Sequence, residues 1–459
     1  MIRRSTAIAA AALLAACGSV LGGGSGSTHF SGPGPWGMDD RRYDTSSGIL
    51  EQPVIGASTD EAQNLWVATN GALYLLKPGD KTFRRFGVKD GLHLSGNPVR
   101  YCDADFGGGD RRCPIFGQAA QQGISEITGG AAGEVFVGYY GLDDGSADWS
   151  DPNRHTGKLD RVRLKTDGTL QVDRMDLVST TTAEFWHNRT VQRLLYDHFQ
   201  HPHELYVGTN HGVDRIWPDK YRAPAQNEWF LKAANEWMSD HLHPQVCYHH
   251  KCDKTESDLM LGDWKGLALS ADGNLWVAGR WTAGQIRWTQ DLASWLNRPG
   301  DQIFAVAFGD GYVRGVCNAD GFCNQPVYKI PAEGDIISVQ AAAVAADGRV
   351  WFASGRTNAS DAPQGLAVWD GKTFRYFDPV RDAGMAERDV RDMLALPDGR
   401  LVLAGPNTGV TVWDPASGRR GTIAVPDPHV LRMELDRMVD PPTLYVSTYG
   451  GVAAIRRFP

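Results

Sequence analysis

The densest group of side chains able to do chemistry is His241, His243, Cys247, His249, His250 and Cys252, all within one short stretch. Imidazole nitrogens and thiolates that converge make good transition-metal ligands, so His241, His243, His249 and His250 are the metal candidates. Cys247 and Cys252 have a competing use. In an exported chain a close cysteine pair is more readily a disulfide, and a disulfide loop with no metal is the preferred reading. Asp143, Asp144, Asp148 and Asp151 offer hard oxygen ligands suited to calcium. Their spacing departs from the EF-hand pattern, and a solvated loop is preferred. His198, His201, His203 and His211 flank a hairpin and read as turn or surface residues. No Gly-x-Ser-x-Gly elbow and no phosphate-cradling glycine loop occurs, so no catalytic residue is assigned and no cofactor is expected.

The chain begins with Arg3-Arg4 and an unbroken small apolar run from Ala7 to Ala16. That run falls short of the roughly 20 residues a membrane-spanning helix needs, and it reads as a signal peptide over residues 1–16. Leu14-Ala15-Ala16-Cys17 resembles the lipobox of bacterial lipoproteins. The resemblance implies cleavage before Cys17 and acylation of its thiol. Ser5-Thr6 lacks the apolar pair expected after a twin-arginine signal. Residues 17–40 are rich in Gly and Ser at first and form a flexible tether. An exported domain held near a membrane only by its lipid follows. Gly18 is not the aspartate that retains enteric lipoproteins at the inner membrane, so the outer membrane is the expected location.

Of the 7 cysteines, Cys17 is taken by the lipid. The others form close pairs, Cys102/Cys113, Cys247/Cys252 and Cys317/Cys323, expected to be local disulfides. The composition, 42% hydrophobic and 22% charged, is globular. A net charge of −8 argues against nucleic acid as partner.

Residues 41–459 are organised by a repeat. Asn64-Leu65-Trp66-Val67 recurs as Glu134-Val135-Phe136-Val137, Glu204-Leu205-Tyr206-Val207, Asn274-Leu275-Trp276-Val277, Arg349-Val350-Trp351-Phe352, Arg400-Leu401-Val402-Leu403 and Thr443-Leu444-Tyr445-Val446. A turn signal precedes each copy, clearest at Asp272-Gly273, Asp347-Gly348 and Asp398-Gly399, where Asp-Gly suits a tight hairpin. A glycine and another strand follow. An all-β, seven-bladed propeller of four-stranded antiparallel blades is expected, with Trp66, Trp276 and Trp351 packed between blades. The last copy lacks an outer strand, and Tyr43 to Leu50 is the expected donor that closes the ring.

Asp272-Gly273-Asn274-Leu275-Trp276-Val277, Gly208-Thr209-Asn210-His211-Gly212-Val213 and Phe83-Arg84-Arg85-Phe86 with Lys89-Asp90-Gly91-Leu92 resemble the two-component-regulator propeller repeat. The Asp-Gly-x-Leu-Trp signature is also similar to that of streptogramin-lyase-like propellers. Either resemblance implies the fold; for function it implies only that such repeats serve sensors, scaffolds and a few enzymes.

Long connections gather on one face: residues 87–122, 141–157, 309–335 and 355–364 all join strand b to c within a blade, or strand d to the next blade's a. The largest insert, 217–262 between blades three and four, carries Trp229, Ala233, Trp237 and Met238 at helical spacing, and a helix is expected over Asn227 to Leu242. Loops on a rigid scaffold are where recognition residues concentrate. The preferred function is a non-enzymatic, lipid-anchored binding or scaffold protein of the cell envelope, a monomeric propeller that meets an envelope protein or extracellular ligand through its elaborated face. The alternative is a propeller enzyme, a lyase or hydrolase with its site in the axial funnel.

Overall fold

The structure is a computed structural model that describes residues 30–459, apart from 93, 95–122, 141–158, 176–189, 202, 210–212, 222–236, 243–263, 280–282, 287–302, 309–310, 318–322, 325–338, 357–362 and 364. Its strands form 7 separate antiparallel sheets. Blade one runs outward through Val54–Thr59, Leu65–Thr69, Ala72–Leu76 and Arg84–Phe86. Blade two is Ile124–Gly129, Glu134–Tyr139, Leu159–Leu164 and Leu170–Arg174. Blade three is Val191–Asp197, Glu204–Thr209, Val213–Tyr221 and Trp237–Leu242. Blade five is Val339–Val344, Val350–Ser354, Leu366–Trp369 and Phe374–Phe377, and blade six is Asp392–Ala395, Leu401–Gly405, Gly409–Trp413 and Arg420–Ile423.

Blade four departs from the expected four strands. Beyond Gly266–Leu269, Leu275–Ala278, Ala283–Ile286 and Ile303–Phe308, its sheet continues into Gly311–Cys317 and Cys323–Asn324. Part of the stretch expected to be a connecting insert at 309–335 therefore widens the blade. Cys317 and Cys323 stand directly opposite each other in that outermost hairpin.

The inner strands touch in a closed circuit: blade one meets two, two meets three, and so on until blade seven meets one. The same turn chemistry builds the inner hairpins of blades four, five and six. Gly273, Gly348 and Gly399 take positive φ of 78°, 82° and 89°. The preceding Asp272, Asp347 and Asp398 carboxylates accept the amides of Asn274, Arg349 and Arg400. Trp66, Trp276 and Trp351 are buried, each in a cluster with side chains of the following blade. That is the inter-blade role expected of them.

Blade seven is closed by the other end of the chain. Val430–Asp436, Thr443–Thr448 and Gly451–Ile455 come from the C-terminus, and Arg41–Tyr43 adds the outer strand, pairing Arg41 with Ala454 and Tyr43 with Val452. The donor starts earlier and is shorter than expected, because Asp44 accepts the Ser46 amide and turns Thr45–Ser47 into a 3-10 turn. The last residues are pinned to the same segment: the Arg456 amide donates to Asp40 Oδ1 at 2.7 Å and its guanidinium to the Asp39 carbonyl at 2.6 Å.

The helix expected over Asn227 to Leu242 is corrected where it can be seen. Trp237–Leu242 is an extended strand whose backbone pairs with Val213–Tyr221. It completes blade three, so residues 217–221 and 237–242 belong to that blade and not to an insert between blades. Sheet pairing satisfies this backbone and overrides the weak local preference for helix. Residues 227–236 lie outside the described residues.

Tyr43 is buried where blades seven and one meet, its ring edge-on to Phe83 at 5.5 Å. Tyr43→Ala should cost about 3 kcal/mol, the scale of deleting a buried aromatic ring, read by urea denaturation. An unchanged midpoint would show that Arg41–Tyr43 does not close the ring.

Candidate functional site at the propeller axis

Most inner strands open with the same irregularity. A bulge falls between Val54 and Gly56, Ile124 and Glu126, Val191 and Arg193, Val339 and Ala341, and Val430 and Arg432. In blade six, Asp392 pairs with Ala404 while the Arg391 amide donates to the Ala404 carbonyl at 2.7 Å, so two residues again face one. Blade-to-blade hydrogen bonds fix this end of the strands: Ile124 N to Asn70 O, Trp264 N to Thr209 O, Val339 N to Gly279 O.

The position after the bulge is therefore equivalent in every blade. It holds Gly56, Glu126, Arg193, Gly266, Ala341, Asp392 and Arg432. Small residues in blades one, four and five leave the axis to the charged ones. At Gly266 a β-carbon would stand 2.7 Å from the Ala342 nitrogen, so glycine is required there.

The charged residues meet across the ring. Arg193 of blade three reaches Asp392 of blade six, with 3.2 Å between Nη1 and Oδ2. Arg432 of blade seven pairs with Glu126 of blade two, and it also donates to the Gln192 carbonyl at 2.8 Å. Its other nitrogen lies 4.0 Å from Asp392. Asp392 in turn accepts the amides of Met393 and Met433 at 2.9 and 2.8 Å. Two carboxylates and two guanidiniums thus form a neutral layer across the channel. Burial pushes the Glu126 carboxyl up, opposed by Arg432 and Arg193. Burial also draws Arg432 below the ordinary arginine value, with Glu126 and Asp392 opposing. For Arg193 the burial is outweighed by Asp392 and Glu126, which hold it raised.

Two residues further along blade seven, Glu434 is pushed up to about 8 by burial, against a hydrogen bond from Ser58 and the charge of Arg193. At physiological pH it is mainly a neutral acid. On the other side of the ion layer, at the loop-bearing face, stand Arg391, Tyr140 and Tyr449; Tyr140 is raised by burial, with the charges of Arg391 and Arg432 opposing.

The residues singled out in the sequence lie elsewhere. His198, His201 and His203 surround the first hairpin turn of blade three, on the face with short turns. His198 meets Glu61 at 3.3 Å, His201 meets Asp197 at 3.6 Å, and His203 meets the Tyr196 hydroxyl at 2.8 Å. They are turn residues, as expected. His241 lies on the outer strand of blade three. His211, His243, His249, His250, Cys17, Cys102, Cys113, Cys247, Cys252, Asp143, Asp144, Asp148 and Asp151 lie outside the described residues. Among the described residues no group of His, Cys, Asp or Glu is placed to hold a metal.

The axial layer was not found from the sequence, because its members sit in different repeats. The signal was present. Ile124-Ser125-Glu126, Val191-Gln192-Arg193, Val390-Arg391-Asp392 and Val430-Leu431-Arg432 each place one charge two residues after a β-branched residue.

No family model matches the chain, and no curated protein matches it. Among solved structures, a chain of a mitotic checkpoint complex is similar at a TM-score of 0.48 and 12% identity, covering 97% of this chain and 100% of that one. The WD40 β-propeller domain of Doa1 is similar at 0.45 and 12%, covering 91% of this chain and 94% of that one.

Glu434 carries a pH dependence with a definite sign. Its folded value is raised above its ordinary 4.5, so the folded state holds the proton longer than the unfolded state does. Its contribution is complete below about pH 4.5, is lost as pH rises to about 8, and is constant beyond. Glu434→Gln should flatten the fall in stability across that window in urea titrations. A variant with the wild-type slope would place the titration elsewhere.

Proposed function

We propose that this protein is a non-enzymatic binding or scaffold protein of the bacterial cell envelope, anchored by lipid at Cys17, whose loop-bearing face holds a protein partner. The observation that carries the reading is where the exposed large apolar side chains lie. Leu50, Val88 and Val380 are in connections between blades, and Tyr449 is in a b–c connection; all four are on the loop-bearing face. Leu50 and Val88 are the most exposed of them among the described residues, at 67% and 63%. Of the others, Phe199 is on the short-turn face, Tyr376 on the outer strand of blade five and Met38 in the segment before Arg41–Tyr43. Exposed apolar side chains gathered on one side of a rigid scaffold suit protein contact. At the axis, Arg193, Asp392, Arg432 and Glu126 are bound to one another.

The anchor is supported by the lipobox-like Leu14-Ala15-Ala16-Cys17 and the tether behind it. Among the described residues no helix is long and apolar enough to cross a membrane, so the lipid is the proposed attachment, with the outer membrane as its place. The repeat type resembling two-component-regulator propellers fits a recognition role.

The test uses the native lipidated chain in its membranes. A photo-crosslinking residue replacing Leu50 or Val380 should yield a discrete protein adduct, and one replacing Lys372 or Asp167, in turns of the opposite face, should not. Cys17→Ser should move the chain from the membrane to the soluble fraction. Adducts from both faces alike, or a Cys17→Ser chain that stays with membranes, would contradict the reading.

A further inference from the structure

The chain enters the propeller across its short-turn face. The Phe30 amide donates to the Met438 carbonyl at 2.7 Å, and the Asp440 amide donates to the Gly32 carbonyl at 3.0 Å. Met438 and Asp440 lie in the first hairpin turn of blade seven, between Val430–Asp436 and Thr443–Thr448. The Trp36 indole then donates to the Gln63 carbonyl at 2.9 Å, in the first hairpin turn of blade one. Trp36 is buried in one cluster with Tyr43, Val54 and Leu65. Gly34 passes so near Val439 that a β-carbon there would stand 2.8 Å from Cγ1. Residues 30–36 are thus strapped over the turns nearest the axis, on the face opposite the long loops.

Beyond this strap the chain runs outward. Asp39 and Asp40 hold Arg456 just past the third strand of blade seven. Arg41–Tyr43 then crosses to the loop-bearing face as the outer strand. Leu50, exposed on that face, follows before blade one begins. The segment that leads back to Cys17 therefore leaves from one face, and the exposed apolar side chains Leu50, Val88, Val380 and Tyr449 stand on the other.

Exposed apolar side chains could serve a bilayer surface as well as a protein, and the strap decides between them. Phe30 lies 13 residues after Cys17. A chain of that length reaches at most about 45 Å when fully drawn out. From the inner turns to the loop-bearing face the route is about 15 Å outward over the remaining strands and about 20 Å along a strand such as Thr443–Thr448, before any loop is cleared. Such a route uses most of the reach, and a chain held taut gives up its conformational entropy. The short-turn face needs no detour.

We infer that the propeller stands with its short-turn face toward the bilayer that holds the lipid of Cys17, and offers its loop-bearing face, away from that bilayer, to a protein in the aqueous compartment. This orientation rests on the lipid anchor proposed above and adds which face meets the membrane. It keeps Leu50, Val88, Val380 and Tyr449 off lipid, and it excludes a partner embedded wholly in the same bilayer.

The test is energy transfer on the full lipidated chain in phosphatidylethanolamine–phosphatidylglycerol vesicles that carry an acceptor dye on their headgroups. A fluorescent residue replaces either Lys372, in the outer turn of blade five, or Val380, in the connection from blade five to blade six, so both report from one sector of the ring. The roughly 20 Å between the faces should make transfer from position 372 at least about twofold stronger than from position 380. An insert of about 30 Gly and Ser residues after Gly24 roughly triples the reach of the tether and should bring the two signals together. Equal transfer from both positions in the chain without the insert, or a difference that survives the insert, would overturn the orientation. Stronger transfer from position 380 would also overturn it and assign the apolar face to lipid. Mass spectrometry of residue 17 separates the two readings. A chain without lipid on Cys17 overturns the anchor and the orientation together, whereas a lipidated chain with equal transfer overturns the orientation alone.

Discussion

Carrying charge through the centre of a ring of sheets imposes a strict condition: each buried guanidinium and carboxylate must find a partner, or the fold pays several kcal/mol for it. Here the partners come from different blades. Arg193 and Asp392 span blades three and six, and Arg432 joins blade seven to Glu126 of blade two. None of these contacts forms unless the blades are already arranged in a closed circle. The layer therefore reports ring geometry, joining opposite blades across the axis.

The layer depends on features repeated in the backbone. The bulge at the start of the inner strands sets which residue faces the axis, and the blade-to-blade amide bonds hold that end of each strand in step. Gly56, Gly266 and Ala341 leave the space, and the four charged residues fill it. Ring closure by Arg41–Tyr43, with Arg456 held by Asp39 and Asp40, brings blade seven and its Arg432 into position. A chain with its two ends apart would lose half of the layer.

The architecture was legible because the turns repeat. Asp-Gly at residues 272–273, 347–348 and 398–399 announces hairpins whose glycines do adopt positive φ, and Trp276 and Trp351, which follow the first two, are buried between blades as expected. Two things were not legible. Trp237 and Met238 read as part of a helical stripe, yet a short edge strand is fixed by its neighbour, Val213–Tyr221, and not by its own periodicity. The axial charges escaped because residues such as Arg193 and Asp392, 199 positions apart, are related only by their place in the repeat.

The ion layer is tested most directly by a double-mutant cycle between Arg193 and Asp392, using Arg193→Gln, Asp392→Asn and the pair, each measured by urea denaturation. If the two side chains meet across the axis, their coupling should be at least about 1 kcal/mol, and each single variant should be less stable than wild type. Additive effects, with coupling indistinguishable from zero, would contradict ion pairing between opposite blades across the axis.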